Sequence, residues 1–223
     1  MTKLKMLSEE DSKVIFESAN KVAQFIHDNH IQNVIVLGYS GQIGVYAIKL
    51  AWKRLYPKTP LPHFDAIGDF ASRVNYKRWL GEKEKIMSDL KKQRSTIFSL
   101  QRKNQSTLLF DVFARTGETM QLFSRIFQEE GFANIHTGLM FQSDYSNQIG
   151  QKFDIVGNVG EPRKLDNIRT YWKHLLDNPI YEKGVRAPLR VLSRERLFNG
   201  ANYIRSDLQK IFVRTKSKRR RPV

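Results

Sequence analysis

The stretch LLFDVFARTGETM, which runs from Leu108 to Met120, decides how the rest of the sequence is interpreted. Its apolar start leads into Asp111, and a short loop then separates this acid from a segment with helical periodicity. The apolar residues of that periodic segment are Leu122, Phe123, Ile126 and Phe127. The pattern predicts a strand, a tight loop and a helix N-terminus. Free backbone N–H groups and the helix dipole at such an N-terminus favour an anion, usually a phosphate.

A second unit of the same kind lies earlier in the chain. The β-branched run from Asn33 to Leu37 is followed by the glycine loop GYSGQIG at residues 38–44 and by a helical pattern to Leu55. Further strands are predicted at residues 63–67, 106–111, 133–141 and 153–156. Because strands and helices alternate, the sequence predicts an α/β fold with a mostly parallel sheet flanked by helices.

The chain divides into three predicted regions. Residues 1–160 form the α/β core, which opens with a helix capped by Ser8 and carries a long basic insertion at residues 69–104. Residues 161–213 predict a helical C-terminal extension. Residues 214–223 are rich in Lys and Arg and predict a basic, disordered tail.

Charge and composition restrict the classes of partner. The 223 residues hold 38 Lys and Arg against 22 Asp and Glu, a formal net charge of +16, which favours phosphates, nucleotides or nucleic acid. The insertion and the tail are the predicted nucleic-acid contacts, although basic side chains on a long helix are also typical of a solvated face. The lack of cysteine excludes disulfides, a thiol nucleophile and a Cys-based zinc site. With no signal peptide and no membrane-spanning run, we expect a cytoplasmic protein, or a nuclear one in a eukaryote because KSKRRRP resembles a targeting signal.

The residues from Phe110 to Thr119 resemble the phosphoribosyl-pyrophosphate motif of the type I phosphoribosyltransferases, in which an apolar strand and acidic residues precede Thr-Gly-x-Thr. The resemblance covers about Gln32 to Gly157 and implies a phosphoribosyltransferase-like fold, with Phe153–Gly157 faintly like a nucleobase-pocket strand. It implies that Asp111 binds ribose and serves catalysis. The implied phosphate and ribose contacts also include Ala114, Arg115, Thr116, Gly117, Glu118 and Thr119. The implied pyrophosphate loop consists of Gly38, Tyr39, Ser40 and Gly41.

The resemblance implies an activity as well as a site. The protein would bind phosphoribosyl pyrophosphate or a nucleoside monophosphate and transfer a phosphoribosyl group to a nitrogenous base. Magnesium would arrive with the pyrophosphate, and no protein residue is assigned as a metal ligand. The expected partners are a phosphorylated sugar or nucleotide, nucleic acid, and a second copy of the chain in a homo-oligomer.

Two positions depart from the family pattern. Val112 stands where the second acid belongs, and Arg115 stands where purine enzymes of the family have a carboxylate. Arginine cannot serve as a general base near neutral pH, because its pKa exceeds about 12. The alternative function is therefore a catalytically weakened regulator or nucleic-acid-binding module of the same fold.

A third interpretation starts from GYSGQIG alone, which also resembles the dinucleotide loop of Rossmann dehydrogenases and epimerases. The chain has no Tyr-x-x-x-Lys pair, and the next predicted strand is weak and ends ambiguously at Asp65 or Asp69.

The histidines have no metal-ligand spacing and are interpreted as structural or surface residues. They are His27, His30, His63, His136 and His174.

Overall fold

The computed structural model describes residues 9–67, 76–114, 117–143, 152–160 and residue 212. Its helices are α1 (Glu9–Asp28), α2 (Tyr39–Leu55), α3 (Tyr76–Gln93), α4 (Leu100–Lys103) and α5 (Glu118–Glu129). Its strands are β1 (Asn33–Val36), β2 (His63–Ala66), β3 (Thr107–Ala114), β4 (Ile135–Ser143) and β5 (Ile155–Gly160). The predicted cap Ser8, the helical extension at 161–213 apart from Phe212, and the basic tail at 214–223 lie outside the described residues.

The strands form one parallel sheet in the order β2-β1-β3-β4-β5. β1 lies between β2 and β3, with Val36 in register with Ala66 on one side and with Phe110 on the other. Every neighbouring pair is parallel, so each connection must cross over a face of the sheet. The α/β class with a mostly parallel sheet, predicted from the alternation of elements, is confirmed.

Two hydrophobic layers cover the sheet. On one face α1 and α2 pack against alternate strand residues such as Leu108, Phe110 and Val112. On the other face α3 and α5 pack against Ile35, Leu109 and Leu139. Because successive strand residues point to opposite faces, the continuous apolar runs in the sequence are those of strands buried on both sides.

Several predicted boundaries are wrong by a few residues. β3 continues to Ala114, three residues past its predicted end, because it pairs with β4 as far as Ala114↔Gln142. β4 and β5 likewise end later than predicted. α2 begins at Tyr39, so most of the predicted glycine loop is helix. Gly131, which follows α5, has a left-handed φ of 87°, the conformation in which a glycine commonly ends a helix.

The predicted basic insertion contributes a layer of the core. α3 buries Ile86, Met87 and Leu90, and Trp79 is only 3% exposed. Two of its lysines pair with the end of α5, with Lys83 Nζ 2.6 Å from Glu129 and Lys91 Nζ 2.8 Å from Glu130. The basic side chains thus occupy the outer side of a helix that is anchored on the sheet. α3 is kinked at Glu82, next to Gly81.

One residue from the C-terminal region belongs to the described core. Phe212 is buried and packs against Phe16 of α1, with ring centroids 5.0 Å apart. The guanidinium of Arg54 lies over the Phe16 ring at 4.8 Å. Within the described residues, no helix combines the length and the apolarity that crossing a bilayer requires.

Gly44 tests the contact between α2 and the sheet. A Cβ added there would lie 2.6 Å from Val112 Cγ2 and 3.0 Å from the Phe110 ring, so we expect Gly44→Ala to lower the free energy of unfolding by about 1–3 kcal/mol. Gly81→Ala is the matched control, since nothing lies within 4 Å of its added Cβ, and it should leave stability unchanged or raise it by up to about 1 kcal/mol. Urea unfolding of both variants measures the difference, and equal effects would show that crowding at Gly44 is not the cause.

Candidate functional site

The crevice between the carboxyl ends of β1 and β3 is the topological switch point of this sheet. From β1 the chain moves outward to β2, returns past β1 to β3, and then continues in the other direction. α2, which follows β1, and α5, which follows β3, therefore begin on opposite faces of the sheet. Open α/β sheets bind ligands at such a point, because the diverging connections leave a crevice outside the carboxyl ends.

Gly38 enters this crevice from β1. Its backbone is extended (φ −121°, ψ 169°), and it precedes the first turn of α2 without any side-chain cap. Tyr39, Ser40 and Gly41 form that first turn, with Gly41 N donating to Gly38 O at 3.1 Å. The expected pyrophosphate loop is thus one extended residue and a helix start, where unpaired N–H groups are directed at the carboxyl edge.

The structure gives Gly41 a packing reason for being glycine. A Cβ at this position would overlap Cγ1 of Val36, so a larger residue would push α2 away from β1. Gly44 serves the same contact one turn later, against Val112 and Phe110. Two of the glycines in GYSGQIG are therefore required by the close approach of helix and sheet, whether or not a ligand binds.

Asp111 enters the crevice from β3. Leu37 N donates to Phe110 O at 3.0 Å, and this is where the pairing of β1 with β3 ends. Asp111 therefore starts the part of β3 that extends beyond its pairing with β1. Its carboxylate is half-buried, and Oδ1 accepts a hydrogen bond from Val112 N at 2.7 Å.

Val112 lies on the opposite face from Asp111, because side chains alternate along a strand. It is 0% exposed and packs in the layer under α2. The position where the resemblance expected a second acid is therefore part of the core and offers nothing to a ligand. Asp111 is the one carboxylate that this part of β3 brings to the crevice.

The remaining motif residues lie between the end of β3 and the start of α5. Ala114 is the last residue of β3, and Gly117 precedes the helix with a left-handed φ of 76°. Glu118 and Thr119 are exposed in the first turn of α5. Arg115 and Thr116 are outside the described residues. The positive φ explains Gly117, since other residues are strained there.

Gln142 was missed by the sequence interpretation, which ended β4 at Phe141. It pairs with Ala114 at the carboxyl end of β4 and is 3% exposed. Its Nε2 has no hydrogen-bond partner among the described residues. A buried, unpaired amide is costly, so it is a candidate ligand contact beside the motif. Gln142 follows the apolar residues Leu139–Phe141 in the sequence, and nothing in that pattern indicates an unpaired donor.

Asp111 is the carboxylate of β3 that could share a metal ion with a phosphate ligand. Among the described residues, no group of three or more His, Cys, Asp or Glu could hold a metal ion. Magnesium in phosphate sites is commonly bound by one or two carboxylates and by the phosphates of the substrate. Asp111 fits that role, because it is an accessible carboxylate beside two helix starts.

No protein-family model and no curated protein sequence matches the chain. Solved structures of phosphoribosyltransferases are similar to it. The hypoxanthine-guanine phosphoribosyltransferase from Bacillus anthracis is 9% identical, with a TM-score of 0.46 over 71% of this chain and 85% of that chain. The Schistosoma mansoni enzyme, solved with IMP, is 11% identical, with a TM-score of 0.44 over 68% of this chain and 66% of that chain, just under two thirds. The Leishmania tarentolae enzyme, solved with GMP, is 13% identical, with a TM-score of 0.42 over 71% of this chain and 82% of that chain.

Introducing an acid at position 112 tests the placement of Val112. We expect Val112→Asp to destabilise the fold by several kcal/mol and to add no ligand affinity, because it buries a carboxylate under α2. Val112→Asn is the control of equal shape without charge. Burial raises the pKa of the introduced carboxyl, so the deficit relative to Val112→Asn should shrink as the pH falls towards that raised pKa. Full stability together with tighter ligand binding would contradict the buried placement.

Proposed function

We propose that this protein binds a phosphoribosyl ligand, either phosphoribosyl pyrophosphate or a nucleoside 5′-monophosphate, in the crevice between β1 and β3. The proposal is supported by one observation: the glycine loop at residues 38–44 and the stretch Leu108–Met120 meet at the same edge of the sheet. Gly38 follows the end of β1 and Asp111 is the first residue of β3 beyond its pairing with β1, and the helices that follow β1 and β3 lie on opposite faces of the sheet. Ligand binding at such a point follows from the topology of the sheet and does not depend on family resemblance.

Each group has a proposed role that fits its chemistry. The backbone N–H groups and hydroxyls of residues Thr116–Thr119, with Ala114 and Arg115, hold the 5′-phosphate at the start of α5. Asp111 accepts hydrogen bonds from the ribose hydroxyls. The first turn of α2, from Gly38 to Gly41, faces the pyrophosphate. The arginine in this loop adds the positive charge that offsets the Glu118 carboxylate at the helix start.

The enzymatic form of the proposal is transfer of the phosphoribosyl group to a nitrogenous base. The bond between the ribose C1 and the pyrophosphate oxygen breaks, the base nitrogen bonds to C1, pyrophosphate leaves with its electron pair, and the base loses its proton to solvent. Magnesium would supply charge neutralisation to the leaving pyrophosphate, with Asp111 as its protein carboxylate. The chain itself orients the ligand and stabilises charge, because Arg115 cannot accept a proton from the base.

A second candidate function, binding without turnover, is favoured by the burial of Val112. With one carboxylate where the family motif has two, the site retains its phosphate contacts and loses part of its ribose and metal contacts. The protein would then sense a nucleotide rather than convert it. The strand order disfavours the NAD-binding alternative. A dinucleotide-binding sheet has the order 3-2-1-4-5-6, with two strands outside its first strand. Among the described residues of this sheet, only β2 lies outside β1.

Ligand binding by the full chain tests the proposal. We expect phosphoribosyl pyrophosphate, IMP or GMP to raise the melting temperature, because a ligand of the native state stabilises it by mass action. Asp111→Asn should weaken binding about tenfold or more through the loss of charge-assisted hydrogen bonds to the ribose. Isothermal titration calorimetry measures the affinity, and release of pyrophosphate in the presence of a base decides between enzyme and sensor.

Asp65→Asn is the matched control for Asp111→Asn. Asp65 lies on β2 and pairs with His63 at 3.0 Å, away from the β1–β3 crevice, so this variant should bind as the parent does. Parental affinity in Asp111→Asn would refute the assigned ribose contact. A melting-temperature shift with NAD alone would replace the proposal with a dinucleotide site.

Gln142→Met separates a ligand contact from a structural role. Removing an unpaired buried donor at nearly constant volume should raise the free energy of unfolding by about 1 kcal/mol. The same change should weaken nucleotide binding, since the ligand loses a buried amide. Chemical denaturation measures the free energy of unfolding, and calorimetry on the same preparation measures the nucleotide affinity. Lower stability with unchanged affinity would mean that Gln142 serves the fold alone.

A further inference from the structure

A groove lies on the outer side of α5, apart from the crevice between β1 and β3. It has a volume of about 350 Å³ and is open to solvent along one side. One wall consists of polar side chains of α5, and the other consists of the segment that enters β5. The residues that matter are Gln121, Arg125 and Gln128 on the helix, Thr137 on the floor, and Lys152 and Phe153 on the opposite wall.

The floor of the groove fixes the position of the opposite wall. Asp154 accepts hydrogen bonds from Thr137 N at 2.7 Å and from Thr137 Oγ1 at 2.9 Å. These bonds tie the residues just before β5 to β4, so Lys152 and Phe153 are held against the sheet. The carboxylate of Asp154 is engaged by this contact, and none of the described residues that line the groove is acidic.

Both cations of the groove are exposed to solvent. Arg125 Nε lies 3.5 Å from Glu129, whose carboxylate is also 2.6 Å from Lys83 and is therefore shared. Both partners of the Arg125–Glu129 pair are exposed, and such pairs contribute about 0–1 kcal/mol, so a phosphate can replace the carboxylate. Lys152 is exposed on the facing wall.

We propose that this groove binds single-stranded nucleic acid, with Arg125 and Lys152 on the phosphates and Phe153 under a base. Basic side chains beside an aromatic face are the combination with which proteins bind unpaired strands, because every base has a face that can stack. The amides of Gln121 and Gln128 supply donors and acceptors for base edges or sugars.

The dimensions favour a strand over a single nucleotide. Gln121, Arg125 and Gln128 lie on one stripe of α5 that spans about 10 Å at 1.5 Å per residue. Stacked nucleotides advance by about 3.4 Å, so the stripe is longer than one nucleotide step. The net charge of +16 over the whole chain adds attraction for a polyanion. A duplex offers no free base face to Phe153.

Fluorescence anisotropy of the full chain with a short labelled oligouridylate tests the proposal. We expect Arg125→Gln, Lys152→Gln to weaken binding about tenfold and to reduce the salt slope by about 1.4, which is 0.7 for each lost phosphate contact. Phe153→Leu should weaken binding about fivefold with an unchanged slope, since stacking carries no charge. Thermal melts confirm that each variant is folded.

The matched control is Lys21→Gln, Lys53→Gln, which removes the same charge from exposed positions of α1 and α2 on the other face of the sheet. It should change the affinity by no more than about twofold. An equal loss of affinity in the control would refute the proposed groove site, because net charge alone would then explain binding. A larger loss of affinity in the variant Lys85→Gln, Lys92→Gln would place the binding site on the basic face of α3 instead of in the groove. Equal affinity for duplex, or full competition by uridine monophosphate, would overturn the assignment to a single strand.

Discussion

The direct contact of α2 with β1 and β3 depends on two glycines, Gly41 and Gly44, which have no side chain between the helix and the sheet. Gly41 lets the helix start against Val36, and Gly44 lets it continue over Phe110 and Val112. With α2 held this close, its first turn starts beside the carboxyl end of β1 and next to the extension of β3. The same glycines that resemble a ligand loop in the sequence therefore set the geometry of the crevice through packing. Ligand recognition would use a shape that the fold already requires.

Strand alternation determines how much chemistry the motif can bring to that crevice. Of the adjacent residues Asp111 and Val112, the first is partly exposed and the second is in the core under α2. An acid at position 112 would therefore not reach the crevice beside Asp111 unless β3 ended earlier. Because β3 continues to Ala114 through its pairing with β4, the contribution of β3 is limited to one carboxylate and the loop that follows it.

The sequence predicted the class of fold, the order of its strands along the chain and the place of both glycine elements. It could do so because apolar runs, glycines and helical periodicity are local signals. The end of β3 was missed because pairing with β4 is a long-range effect, and Phe113 looked like a loop residue after an acid. The buried side of α3 was obscured by its lysines, although Trp79, Ile86, Met87 and Leu90 recur at helical spacing. Gln142 could not be recognised, since an unpaired donor is a property of its surroundings.

The parallel order of the sheet also affects how the chain reaches this structure. β1 is completed on one side by β2 and on the other by β3, where Asn33 meets Thr107, 74 residues further along. Contacts of such separation require closure of long loops before they contribute stability, and proteins rich in them fold slowly. During synthesis, β1 and α2 emerge before β3, and the edge of β1 that pairs with β3 stays unpaired until β3 is made. The crevice between β1 and β3 therefore cannot form before residues Thr107–Ala114 have been synthesised.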